Sequence, residues 1–179
     1  QDCSDCQFSN VHLREFVLSH RVLKKIKFSD SNLTKTNLIN SDLTESTFDT
    51  VNLITADFTS AIITRANFLN SRINSANFEG SNLQEATISD ADMRGASFRG
   101  AVLTNINIKN SSMTKSSFVG ADLRDSILFE INLELADFTG ANLTNANLSG
   151  SILKNTDFTG AKLTNANLTD ADLTGATLT

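Results

Sequence analysis

Every fifth residue from Phe8 to Leu178 is Leu, Ile, Met or Phe. A period of five matches neither the 3.6-residue repeat of a helix nor the two-residue alternation of a flat strand. It matches a chain that turns a corner every five residues. Two places before each large residue the chain is small: 27 of the 30 positions from Ser31 to Ala176 are Ala, Ser or Thr, with Val51, Ile106 and Ile131 as exceptions. The residue between the two is Asn or Asp in 18 of the same 30 pentads, where its side chain can bond to neighbouring backbone at a bend. All eight Gly fall two places after the large residue, at the corner, where Gly tolerates the positive φ that some tight turns require. In such a coil the large and small residues point inward and the other three face solvent. Backbone hydrogen bonds run to the coils above and below.

Phenylalanine spacing gives the number of sides. Phe58, Phe78, Phe98, Phe118, Phe138 and Phe158 recur at intervals of 20, and Phe8, Phe28, Phe48 and Phe68 form a second such series. Equal rings stack well directly above one another. A vertical repeat of 20 residues means four pentads per turn, so the coil is square. The expected architecture is all-β: a quadrilateral parallel β-helix solenoid of about nine coils, each of 20 residues and four pentapeptides. At roughly 4.8 Å per coil the rod is on the order of 40 Å long.

The recurring unit, as in Ala121-Asp122-Leu123, Ala141-Asn142-Leu143 and Ala171-Asp172-Leu173, resembles the pentapeptide repeat family. The resemblance runs from about Cys6 to the last residue. It implies a right-handed quadrilateral β-helix.

Residues 1–30 are less regular and 31–179 form the regular repeat, within a single domain. At the small position the early segment carries Phe16, Arg21 and Ile26. Either the coil is irregular there, or Val11 to Lys27 fold as a helix that covers the open end, as solenoids require. At the other end Ala176-Thr177-Leu178-Thr179 is still in register. The expectation is further chain beyond Thr179, or an end-to-end homodimer through the uncapped coil.

Cys3-Ser4-Asp5-Cys6 is expected to place Cys3 at a large and Cys6 at a small inward position as apolar core thiols, with a disulfide or a metal site as the alternatives. No cofactor and no metal site is expected. His12 and His20 have no evident partner, and acids scattered over a convex rod lack a cleft that would perturb them. An enzyme is therefore not expected. No apolar run reaches the roughly 18 residues of a membrane helix, so no membrane insertion is expected. The compartment stays open between the cytoplasm and, after removal of a leader, a secreted or lumenal location.

The candidate partner patch is Ile127, Phe129 and Leu135, which all take outward positions within 126–135. Exposed bulky apolar residues on one coil point to protein binding; the alternative is a local bulge that tucks Phe129 against the wall. The 20 acids and 15 bases give a net charge of −5, and residues 121–179 alone hold eight acids against three bases. Without a basic stripe, direct nucleic-acid binding is not expected. The expected function is a non-catalytic scaffold for a protein partner. Two alternatives stand beside it. The family resemblance implies a DNA-mimic, gyrase-interacting protein as one. The outward threonines Thr44, Thr64, Thr104, Thr144 and Thr164 suggest ice or surface binding as the other.

Overall fold

The computed structural model describes residues 3–179. Every residue whose number is a multiple of five, from Asp5 to Gly175, has a positive φ between 48° and 74°. The corner is therefore set by position in the pentad and not by residue type. Even Thr50 and Thr55, β-branched and disfavoured in this conformation, adopt it at 57° and 54°. At most corners the N–H of the small residue closes the turn onto the carbonyl of the large residue three places earlier, as in Ala56 to Leu53 at 2.9 Å and Ala141 to Phe138 at 2.9 Å.

Each side between corners is one short extended piece, and its partners lie 20 residues away. On one wall these pieces are long enough to be strands: β1 (Gln7–Ser9), β2 (Lys27–Ser29), β3 (Thr47–Asp49), β4 (Asn67–Leu69), β5 (Thr87–Ser89) and β6 (Asn107–Lys109). They pair in parallel, in sequence order, with Phe8 opposite Phe28, Phe28 opposite Phe48 and Phe48 opposite Phe68. The other three walls pair through single bridges with the same step, from His12↔Asn32 to Asp157↔Thr177. The chain is a four-sided parallel β-solenoid, and no helix occurs among the described residues.

The interior is solid. Large residues from Leu23 to Phe158 are buried, as are the small ones from Ser31 to Thr156. Each large side chain removed from water contributes roughly 1.5–3 kcal/mol before ordering costs. Phe58, Phe78, Phe98, Phe118, Phe138 and Phe158 stack in a column with centroids 4.6 to 5.2 Å apart and planes within 9°. Phe8, Phe28, Phe48 and Phe68 stack on the opposite wall at 5.4, 5.7 and 4.7 Å. Where the columns overlap, Phe48, Phe58, Phe68 and Phe78 meet edge to face at 6.2 to 6.3 Å. The core is thus two rings across.

Residues 11–27 form no helix; His12, Val17 and Val22 bridge Asn32, Asn37 and Asp42 like any other coil. The early segment differs in burial, not in path, and residues 1 and 2 lie outside the described residues. Ile26 fits inside at 1% exposure, whereas Phe16 and Arg21 are exposed on the outermost storey. Arg21 therefore keeps its hydration, and the cost of an enclosed unpaired charge does not arise.

Cys3 and Cys6 correct the expectation of core thiols: they are joined as a disulfide, with Cα atoms 5.4 Å apart. The reason is local. A large position and the next small position are consecutive inward residues across one corner, and the Cys6 N–H already bonds the Cys3 carbonyl at 3.2 Å. Two cysteines so placed fall within bridging distance.

Candidate functional site

The outer surface is built from the three non-inward residues of each pentad. The central Asn or Asp accepts, through Oδ1, the N–H of the residue two places on. Asn32 takes Thr34 N–H at 3.0 Å and Thr34 Oγ1–H at 2.7 Å, and Asp137 takes Thr139 in the same way. These side chains serve the wall as much as the surface. Within the threonine column, Thr44 and Thr144 donate to Asp42 and Asn142, and Thr64 donates to Thr44.

Charges on this surface are interleaved. Along one corner edge Lys25, Glu45 and Arg65 alternate, with Lys25 Nζ 3.9 Å and Arg65 Nη2 2.5 Å from Glu45. Arg94 grips Asp92 with two bonds of 2.7 and 2.6 Å, and Arg124 grips Asp122 likewise. The Arg94 hydrogen bonds hold the Asp92 carboxyl down to about 2, and the Arg124 hydrogen bonds hold Asp122 below the usual carboxylate range. Each of these acids is partnered and ionised at neutral pH, which suits structure and not proton transfer. His12 and His20 sit exposed on the first coil, His20 at a corner with φ 57°. Among the described residues no group of three or more His, Cys, Asp and Glu comes together to hold a metal ion. No helix among them is long and apolar enough to cross a membrane.

Ile127 and Phe129 lie on the wall that carries β1–β6, on either side of the inward Leu128. The coil is unbroken there: Ile127 bridges Asn107 below and Asn147 above, and Leu128 N–H bonds the Asn147 carbonyl at 2.8 Å. No bulge draws Phe129 in, and it is 43% exposed beside Ile127 at 41%. Leu135 is also exposed, but it occupies a corner (φ 60°) beyond the next wall, so it does not share the Ile127–Phe129 face. Glu130 stands at the corner beside Phe129, and exposed Lys109 lies one coil below on the same wall, so the edge of the Ile127–Phe129 pair carries both signs of charge.

One functional device of the wall escaped the sequence reading. At the corner after β1, β3 and β5 the small residue does not close the usual turn. Its N–H is caught by a serine one coil above: Val11 by Ser31, Val51 by Ser71 and Ala91 by Ser111, each at 3.1 Å, and Ile131 by Ser151 at 3.2 Å. The hydroxyls pass the bond on to carbonyls, Ser111 to Lys109 at 2.7 Å and Ser151 to Leu128 at 2.6 Å. The signal was present as an alternation with a period of 40, Val11-Ser31-Val51-Ser71-Ala91-Ser111-Ile131-Ser151.

Comparison with known proteins finds two family descriptions along the chain. "Pentapeptide repeat region" matches residues 1–78 and 41–118, and "Pentapeptide repeats (8 copies)" matches 116–155 and 141–179. No curated protein matches. Among solved structures, full-length QnrB1, a plasmid-mediated fluoroquinolone resistance protein, is 20% identical over 97% of this chain and 93% of its own, with a TM-score of 0.62. A trypsin-treated form of QnrB1 is 18% identical over 93% and 91%, with a TM-score of 0.59. HetL, a pentapeptide repeat protein involved in heterocyst differentiation regulation from the cyanobacterium Nostoc, is 24% identical over 98% and 88%, with a TM-score of 0.48.

Proposed function

The chain belongs to the pentapeptide repeat family, and from that premise we propose that it is a non-catalytic scaffold that holds a protein partner on its outer wall. The observation that carries this reading is the pair Ile127 and Phe129, exposed side by side on an unbroken, rigid face. An aromatic and a branched side chain held at fixed spacing lose little entropy on docking, which suits them as anchors. Glu130 and Lys109 at the edge of the pair favour a partner surface that is apolar at its centre and mixed in charge at its edge. Leu135 contributes only to a partner wide enough to reach round the corner.

The test compares wild type with Phe129→Asp, first checking that both melt together and then comparing the proteins each captures. Loss of a specific partner on substitution supports the patch; unchanged capture contradicts it. The alternative of a DNA-mimic, gyrase-interacting protein requires an acid-dominated exterior. The interleaving of Arg65, Arg94 and Arg124 with acids speaks against that alternative, and a supercoiling assay unaffected by excess protein disposes of it. Ice binding finds little support in threonines whose hydroxyls are already donated to Asp42 and Asn142, and unchanged thermal hysteresis ends it.

A further inference from the structure

The rim of the Ile127–Phe129 face carries the two charges that a second copy of the same face would need. The wall is regular there: Asn107, Ile127 and Asn147 are bridged one above the next. Residues along a side are about 3.3 Å apart and storeys about 4.8 Å, which places the neighbours of the central, inward Leu128. Glu130, at the corner two residues along, lies about 6 Å to one side of it. Lys109, one storey below Phe129, lies about as far away, obliquely downward. Both are exposed. Neither enters an ion pair within the chain. Glu130 leans the other way, over the bare corner of Gly150, where its Cγ stands 2.9 Å from the place a Cβ would take.

A two-fold axis between two facing walls, passing over Leu128 midway between the directions of Glu130 and Lys109, exchanges those two directions. Glu130 of each copy then meets Lys109 of the other, and Phe129 and Ile127 pack against their own counterparts between the two ion pairs. The rest of the rim agrees. Asn107 falls opposite Ser149. Asp125 falls opposite Asn147, whose Oδ1 is taken by Ser149 and whose Nδ2 can donate to the carboxylate. Asp170 reaches Thr87, and Asp90 is carried past the edge of the facing wall, so no acid is set opposite an acid. Simpler arrangements fail on the same rim. Parallel rods put Glu130 opposite Asp125, and antiparallel rods put Glu130 opposite itself.

We infer that the wall of Ile127 and Phe129 pairs with the same wall of a second copy of this chain, the two rods crossing at roughly 55°. The inference rests on the reading of this face as a docking surface and names its occupant. The face is narrow, and its apolar centre is two residues per copy. The contact therefore falls at the small end of specific interfaces, about 1,200 Å² or less in total, and the dimer is expected to be weak and reversible.

Sedimentation velocity of the intact chain from about 5 to 500 µM tests the inference. Wild type is expected to pass reversibly from monomer to dimer within that range, and Phe129→Asp, shown to be folded by its melt, to stay monomeric. Lys109→Glu and Glu130→Lys are each expected to weaken the dimer about tenfold or more. The double variant that swaps the two charges is expected to return to within about threefold of wild type, a rescue that a merely structural effect would not give. A monomer at every concentration, a dimer that Phe129→Asp leaves intact, or a charge swap no tighter than the single variants would each overturn the inference. If wild type stays monomeric while Phe129→Asp loses a captured protein of another kind, the docking face stands and its pairing with a second copy falls. If Phe129→Asp changes neither self-association nor capture, the docking face itself falls.

Discussion

Inward serines look alike in the sequence and do opposite things in the wall. Ser71 is buried, receives the Val51 N–H at 3.1 Å and donates to the Phe48 and Leu69 carbonyls at 3.2 and 3.0 Å. Ser126 is equally buried, yet its hydroxyl has no hydrogen-bond partner. Ser71→Ala strands a buried backbone donor and should destabilise the fold by about 1–3 kcal/mol. Ser126→Ala removes a desolvated hydroxyl and should be neutral or stabilising by up to about 1 kcal/mol. Urea denaturation of both variants checks the pair, and equal effects would refute the distinction. The small-residue rule was legible in the sequence, whereas the partner of each hydroxyl was not. Above an unclosed corner the serine takes that corner's N–H, as Ser71 does from Val51, whereas above closed corners Ser46 bonds the Leu23 carbonyl, Ser81 the Phe78 carbonyl and Ser126 nothing. The disulfide stood only as an alternative to core thiols, because the pentad rule describes positions and not what two reactive groups do when they meet.

At the scale of the element, a column is the unit of packing. Phe98 touches rings at 4.9 Å below and 5.0 Å above, so its loss is felt on three storeys. Phe98→Ala should cost about 3–5 kcal/mol through the cavity left in a core that cannot collapse across fixed rungs. Phe98→Leu should cost clearly less, since Leu18, Leu38 and Leu178 occupy the same column. Thermal melts of both variants test this, and a Phe98→Ala protein as stable as wild type would contradict the packed column. The columns were fully legible because a 20-residue recurrence of Phe has one simple geometric cause. The path of residues 11–27 was less so. Phe16 and Arg21 violate the small-residue rule and suggested a helix or an irregular coil, but an outermost storey gives bulky side chains room to lean away, so the rule relaxes there without the path changing. Of the candidate patch, outward position could be read for Ile127, Phe129 and Leu135. That Leu135 stands at a corner beyond the next wall became clear only once the four sides were traced.

At the scale of the whole molecule, a set of carboxyls held by hydrogen bonds sets the pH response. The carboxyls of Asp92 and Asp122, bonded by Arg94 and Arg124, and of Asp157 and Asp172, bonded by Thr159 and Thr174, are all held below their usual range. A carboxyl whose folded value is depressed contributes stability that is fully present above its unfolded value, near 4, and is lost as pH falls towards the folded one. For Asp92 that window closes at about 2. Stability should hold level from neutral pH to about 4 and decline below it. Denaturation midpoints measured against pH would show this, and Arg94→Ala should blunt the decline. A rise in stability on acidification would contradict the assignment.

The most direct test of the four-sided, ring-stacked rod is contact between aromatic protons of Phe98 and those of its column neighbours, observed as nuclear Overhauser effects with selectively labelled phenylalanine. With centroids 4.9 and 5.0 Å away, Phe98 should show strong cross-peaks to both Phe78 and Phe118. Absence of both, with contacts instead to residues not 20 positions distant, would contradict the coil and every surface position derived from it.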